Sequence, residues 1–146
     1  MCLVSEIRTP LVAEKPILVY KMLKRLPFRY RVKETPYQYL KISFEKGVCT
    51  LSAKLKYMFV SFRGFTEVSE GIHAWKRETW ADDAAECYKT YQGGRAGIHY
   101  AVIPKGEKYF VGKYDIVSEK MIIFLNRRAL KKSEYAYLLK EAENDI

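Results

Sequence analysis

A chain of 146 residues with net charge +9, 49% hydrophobic and 29% charged, is long enough to bury one core and too apolar to stay disordered. No apolar run approaches the ~20 residues that cross a bilayer as a helix. No basic segment followed by an apolar run marks a leader peptide, so a cytoplasmic protein without membrane partners is expected. Cys2, Cys49 and Cys87 are odd in number and lack metal-type spacing. They read as free thiols of a reducing compartment, packed as small hydrophobes.

The charge is uneven. Through Phe65 there are 13 Lys or Arg against 4 Asp or Glu, and from Thr66 onward 13 against 13. Such asymmetry points to an anionic partner: a nucleotide, a nucleic acid or an acidic protein. A basic face kept for solubility and protection of strand edges competes with that reading.

Residues 1–15 are polar and Pro-punctuated and read as an irregular arm. Ile17 to Leu23 is a mostly apolar run, expected to be a central strand. Phe28-Arg29-Tyr30-Arg31-Val32 alternates like an edge strand with its arginines exposed. Thr35-Pro36-Tyr37 reads as a turn, Leu40-Lys41-Ile42-Ser43-Phe44 as a short strand, Glu45-Lys46-Gly47 as a turn, and Val48 to Leu51 as another strand. Leu55 to Phe65 interleaves Tyr57, Phe59, Phe62 and Phe65 with Lys56 and Arg63. That pattern suits base stacking, but a strand packing one face on the core accounts for it as well and is favoured.

Gly71 to Gly106 organises the chain: strand, helix, glycine-rich break, strand, turn. The spacing predicts a helix from Thr79 to Tyr91, with Thr79 as N-cap and Asp82 at the third helical position. Asp82, Asp83 and Glu86 suit the helix N-terminus. Trp80, Ala84, Tyr88 and Tyr91 form the stripe expected to be buried. Gly93 and Gly94 fit a C-cap rather than a phosphate cradle, which would precede a helix. Ile98 to Ile103 reads as a buried strand ended by Pro104-Lys105-Gly106. Lys108 to Gly112 and Met121 to Leu125 are further strands, with Asp115 to Ser118 turning between them. Ser133 N-caps a final helix to Asn144 with Leu138, Leu139 and Ala142 inward. The result is one α+β domain over residues 1–146: a mostly antiparallel, strongly bent sheet of about seven strands, one central helix and a C-terminal helix.

The order Val-Tyr-Lys, Thr-Pro-Tyr, Glu-Lys-Gly, Gly-Ile-His-Ala-Trp and Ile-Pro-Lys-Gly-Glu-Lys-Tyr resembles a family of small uncharacterised proteins from phages and prophages of gut bacteria. The resemblance covers about Met1 to Ile123 and implies expression in a bacterial cytoplasm. Gly71-Ile72-His73-Ala74-Trp75 followed by Pro104-Lys105-Gly106 is also similar to ADP-ribosyltransferase-type folds. The chain lacks their Ser-Thr-Ser strand motif and a clear Glu-x-Glu or Gln-x-Glu pair, so that likeness implies a nucleotide-sized cleft and not catalysis.

No catalytic constellation, metal set or cofactor motif is complete. His73 and His99 flank the same helix but lack a third ligand, and a structural role competes with a paired one. The ligand-binding candidates are Lys21, Arg63, His73, Trp75, Arg77 and Lys105. They combine cationic donors for phosphate with a ring for a base, near strand ends and turns. The expected function is non-enzymatic sequestration of a small anionic ligand, such as a nucleotide second messenger of anti-phage defence. The alternative is an inhibitor or virion accessory protein whose basic face meets an acidic protein. Nucleic-acid binding is less favoured, a degenerate nucleotide-processing enzyme least, and a homo-oligomer stays open.

Overall fold

The computed structural model describes residues 3–26, 29–34, 38–42, 44–92 and 95–144. The chain runs β1 (Leu3–Ser5), β2 (Leu11–Val12), β3 (Ile17–Leu26), β4 (Arg29–Glu34), β5 (Gln38–Ile42), β6 (Val48–Ser52), β7 (Lys56–Val60), β8 (Phe65–Glu70) and β9 (Ile72–Trp75). Then follow α1 (Glu78–Gln92), β10 (Arg95–Ile103), β11 (Lys108–Val111), β12 (Asp115–Ser118), β13 (Lys120–Phe124), α2 (Arg127–Lys131) and α3 (Tyr137–Asn144). The architecture is α+β with antiparallel ladders, as expected. It has thirteen described strands and three helices instead of about seven and two.

Ten strands form one sheet. Its path is β2-β11-β12-β9-β3-β10-β13-β6, and the β4–β5 hairpin branches from β3. The apolar runs read from the sequence lie at its middle: β3 pairs with β10 along nine residues, from Ile17↔Ile103 to Arg25↔Arg95. Alternation then sorts the side chains. Val19, Leu23, Ile72, Ala74, Ala101, Ile103, Ile116, Met121 and Ile123 point to one face and form the main core. The opposite face carries the helices. Val102 and Phe124 meet Leu130 of α2 and Leu138 and Leu139 of α3, while α1 lies over β9, β3 and β10. A smaller sheet, β1-β8-β7, packs Leu3 and Val68 on Phe110 and Val117.

Several expectations change. The N-terminal arm is not wholly irregular: β1 pairs with β8 and β2 with β11, and Leu3 and Ala13 are 1% and 2% exposed. Segments of two or three residues show no periodicity of their own, so only their partners reveal them as strands. β4 is not an edge, because β5 pairs on its far side. Asp115 to Ser118 is a strand and not a turn. The turn between β11 and β12 sits just before it, closed by the Gly112 N–H to the Asp115 carbonyl at 2.9 Å. The helix begins at Glu78, so Thr79 lies inside its first turn. Ser133 does not cap a helix to Asn144. Its hydroxyl donates to the Leu130 carbonyl at the end of α2 and accepts from the Tyr135 N–H, and α3 starts later, at Tyr137. The helix missed in the sequence, α2, is N-capped by Asn126, whose side chain accepts from the Ala129 N–H at 2.9 Å.

Two turns match their residues. Lys46 and Gly47 have φ of 52° and 78° between mutual Glu45–Val48 backbone bonds, the geometry of a type I′ turn. Gly106 at φ 89° follows Lys105, with Glu107 N–H returning to the Pro104 carbonyl, as a type II turn requires. Phe28, the Thr35-Pro36-Tyr37 turn and the Gly93-Gly94 cap lie outside the described residues.

Candidate functional site

β9 builds the centre of the site. Ile72 and Ala74 turn into the main core, both fully buried, and alternation sends His73 and Trp75 to the helix-covered face. Gly71 carries the chain here from the small sheet at φ 144°. In β12, Val117 pairs with His73 and Asp115 with Trp75. Asp115 reaches diagonally so that its Oδ2 lies 2.9 Å from His73 Nε2. Gly112 leaves room for this, since a Cβ there would stand 2.4 Å from Asp115 Oδ1.

Burial lowers the His73 pKa from 6.5, the Asp115 hydrogen bond opposes that shift, and the nearby Lys21 charge reinforces it. The imidazole is therefore neutral at pH 7, and a neutral ring facing a carboxylate donates through Nε2–H. The Trp75 ring meets His73 edge-on at 5.1 Å. Among the described residues no hydroxyl or thiol hydrogen-bonds His73, and no group of three His, Cys, Asp or Glu is placed to hold a metal ion. The pair can hold a proton and fix the orientation of the imidazole.

Beyond Trp75 the chain turns into α1, and Lys76 fastens that corner. Its N–H bonds the Tyr114 carbonyl at 3.0 Å, and its ammonium donates to the Gly112 and Lys113 carbonyls. The β11–β12 turn is thereby held against the start of α1. Trp80 meets Tyr114 edge-on at 4.9 Å, Arg77 lies 5.0 Å over the Trp80 ring, and Lys113 lies 5.2 Å over the Tyr114 ring. Trp75, Trp80, Asp83, Ala84, Cys87 and Tyr114 line an open groove of about 280 Å³. In the sheet, Tyr20 pairs in register with Trp75 and with Tyr100. Burial raises the Tyr20 pKa, with Glu78 and Tyr100 adding to the shift, so its hydroxyl stays protonated.

The groove corrects the reading of the helix. Among the described side chains of α1, Ala81 is the fully buried one, while Trp80, Ala84 and Tyr88 are half-buried. Small alanines let the helix lie close to the sheet, and an indole has no room beneath it. Trp80 is pushed to the flank, where it becomes a wall. Asp83 lines the groove as well as serving the helix N-terminus, and Cys87 is exposed instead of packed as a small hydrophobe.

Of the six residues singled out in the sequence, His73, Trp75 and Arg77 come together. Lys21 does not reach the groove. It is 2% exposed on the other face of the sheet, where its ammonium donates to the His73 carbonyl. β3 and β9 share one register pair, Tyr20↔Trp75, so that carbonyl takes a side-chain donor in place of a ladder bond. Lys105 sits in the turn after β10, five residues beyond Tyr100 and roughly 15 Å along the strand direction. Arg63 belongs to the β7–β8 turn, at the opposite end of β8 from Gly71.

The histidines are also separated by the sheet. His99 faces the main core, 5% exposed, 3.1 Å from the Phe124 carbonyl and stacked on Phe44. The aromatic run is only partly core. Tyr57 packs on Phe110 at 4.8 Å, but Phe62 is 83% exposed at the hairpin tip, beside Arg63. One Glu-x-Glu does occur, Glu141-Ala142-Glu143, but it lies on helix α3 and not on a strand, and Glu143 pairs with Arg127. Sequence reading missed Trp80, Asp83, Tyr114 and Asp115 as site residues. The signal available was Trp80, Asp83, Ala84 and Cys87 at i, i+3, i+4 and i+7, one helical face holding a ring, a carboxylate and a thiol. No protein-family model, curated protein or solved structure matches this chain.

Proposed function

We propose that this protein binds a small anionic ligand with a flat base, a nucleotide, without transforming it. The observation that carries the reading is the groove itself. Both tryptophans of the chain line it together with Tyr114, and Arg77 and Lys113 lie over two of its rings. A base stacked on an aromatic ring gains roughly 1–3 kcal/mol. An Arg stacked on a ring still presents its guanidinium edge to phosphate oxygens. The His73–Asp115 pair lies beside Trp75, which His73 meets edge-on. Sequestration of a nucleotide signal in a phage-infected cell, the setting implied by the resemblance to phage proteins, is the role that such a groove suits.

The two tryptophans make the test direct, because fluorescence excited beyond the tyrosine absorption band reports on the groove alone. Linear and cyclic nucleotides should quench it with dissociation constants below millimolar, and Arg77→Ala with Lys113→Ala should weaken binding at least about tenfold. Absence of quenching across the panel at millimolar concentration rejects the reading.

A second reading is an inhibitor that docks on an acidic protein through the β7–β8 hairpin. The observation in its favour is the exposure of Met58 and Phe62, 65% and 83%, beside Arg63. Mass spectrometry of material co-purifying from infected cells separates the two. A nucleotide supports the groove, and a protein partner lost on Phe62→Ser with Arg63→Glu supports the hairpin.

A further inference from the structure

We infer that the groove selects guanine, with Asp83 reading the base; this rests on the nucleotide reading above and adds the identity of the ligand to it. The lining is chemically lopsided. Of the residues that form it, Trp75, Trp80, Ala84, Cys87 and Tyr114 offer rings, a methyl and a thiol, and Asp83 alone carries a formal charge, a negative one. A phosphate avoids a carboxylate and goes to the cations, Arg77 over the Trp80 ring and Lys113 over the Tyr114 ring. Asp83 follows by six residues Arg77, which precedes α1 and accepts the Ala81 N–H at its carbonyl, a separation of about 9 Å by helical rise. That is the reach from the phosphate of a nucleoside monophosphate to the far edge of its base. With the phosphate on Arg77 and the base against the rings, its outer edge meets Asp83.

A carboxylate offers two acceptor oxygens and no donor. Guanine is the base whose outer edge presents two adjacent donors, N1–H and the N2 amine, so both oxygens are used at once. Adenine and cytosine each pair one amine with a ring-nitrogen acceptor that the carboxylate repels. Uracil has one donor between two carbonyls. Hydrogen bonds to an ionised acceptor are the stronger kind, and a groove otherwise poor in polar groups supplies no substitute for a lost one.

The experiment titrates the tryptophan fluorescence of the full chain with GMP, IMP, AMP, CMP and UMP. IMP is guanine without the N2 amine and keeps everything else. The expected result is GMP tightest, by about tenfold or more over IMP and AMP, with the advantage gone in Asp83→Asn at an unchanged melting temperature. Equal affinity for GMP and IMP in the native chain overturns guanine selection and leaves the groove reading standing, as does a folded Asp83→Asn that keeps the preference. Failure of every nucleotide to quench overturns both.

Discussion

Gly71→Ala tests how the site strand is placed. β8 ends at Glu70 and β9 begins at Ile72, so this one residue passes the chain from the small sheet to the large one. Its φ of 144° lies where side chains are rarely found, at a cost of about 1–3 kcal/mol for a residue with a Cβ. The added methyl would stand 2.3 Å from Val117 Cγ1 and 2.8 Å from Leu55 Cδ2. Both neighbours are buried in the same cluster, and Val117 is β-branched within a paired strand, so it cannot swing aside. Overpacking of that kind adds about 1–3 kcal/mol. The two effects together predict a loss near 4 kcal/mol, a large part of a domain's usual 5–15 kcal/mol. Gly64→Ala is the control: its φ is 72°, but nothing lies within 4 Å of the new methyl, so only backbone strain of about 1–2 kcal/mol applies. Urea unfolding followed by circular dichroism measures both. The reasoning fails if Gly71→Ala loses under 1 kcal/mol, or no more than Gly64→Ala.

Trp80→Ala should cost about 2 kcal/mol and not the 3–5 of a full core truncation, because the indole is half-buried and held by Tyr114; a loss above 4 kcal/mol in chemical unfolding contradicts the flank position. His73 makes stability pH-dependent. The unfolded imidazole gains its proton near 6.5 and the folded one only at lower pH, so the unfolded chain binds more protons between those values. Stability should be level well above pH 6.5 and fall as pH drops through 6.5 toward the lowered folded value, and unfolding midpoints of His73→Gln should lack that fall. Asn126→Ala removes the acceptor for the Ala129 N–H and should lower stability by about 1 kcal/mol; an unchanged midpoint shows that α2 does not depend on its cap.

What the sequence determined by itself is local. Ile17 to Leu23, Ile98 to Ile103 and Met121 to Phe124 are strands because apolar and β-branched runs between turn residues have no better use. Glu45-Lys46-Gly47 and Pro104-Lys105-Gly106 turn because Gly accepts positive φ, and Pro ends the preceding strand. The helix after Trp75 follows from polar and alanine-rich spacing. Tertiary structure decided the rest, because it depends on which distant segments become neighbours. Nothing near Lys21 says that it will be buried; that follows from β10 covering one side of its strand and β9 offering the His73 carbonyl on the other. His73 and Asp115 lie 42 positions apart, and only the β9–β12 register brings them within a hydrogen bond. The rotation of α1, set by the fit of Ala81 on the sheet, turns Trp80 from a core residue into the wall of a groove. Arg63 and Lys105 had the right chemistry for a phosphate, but strand direction carried each to a turn outside the groove.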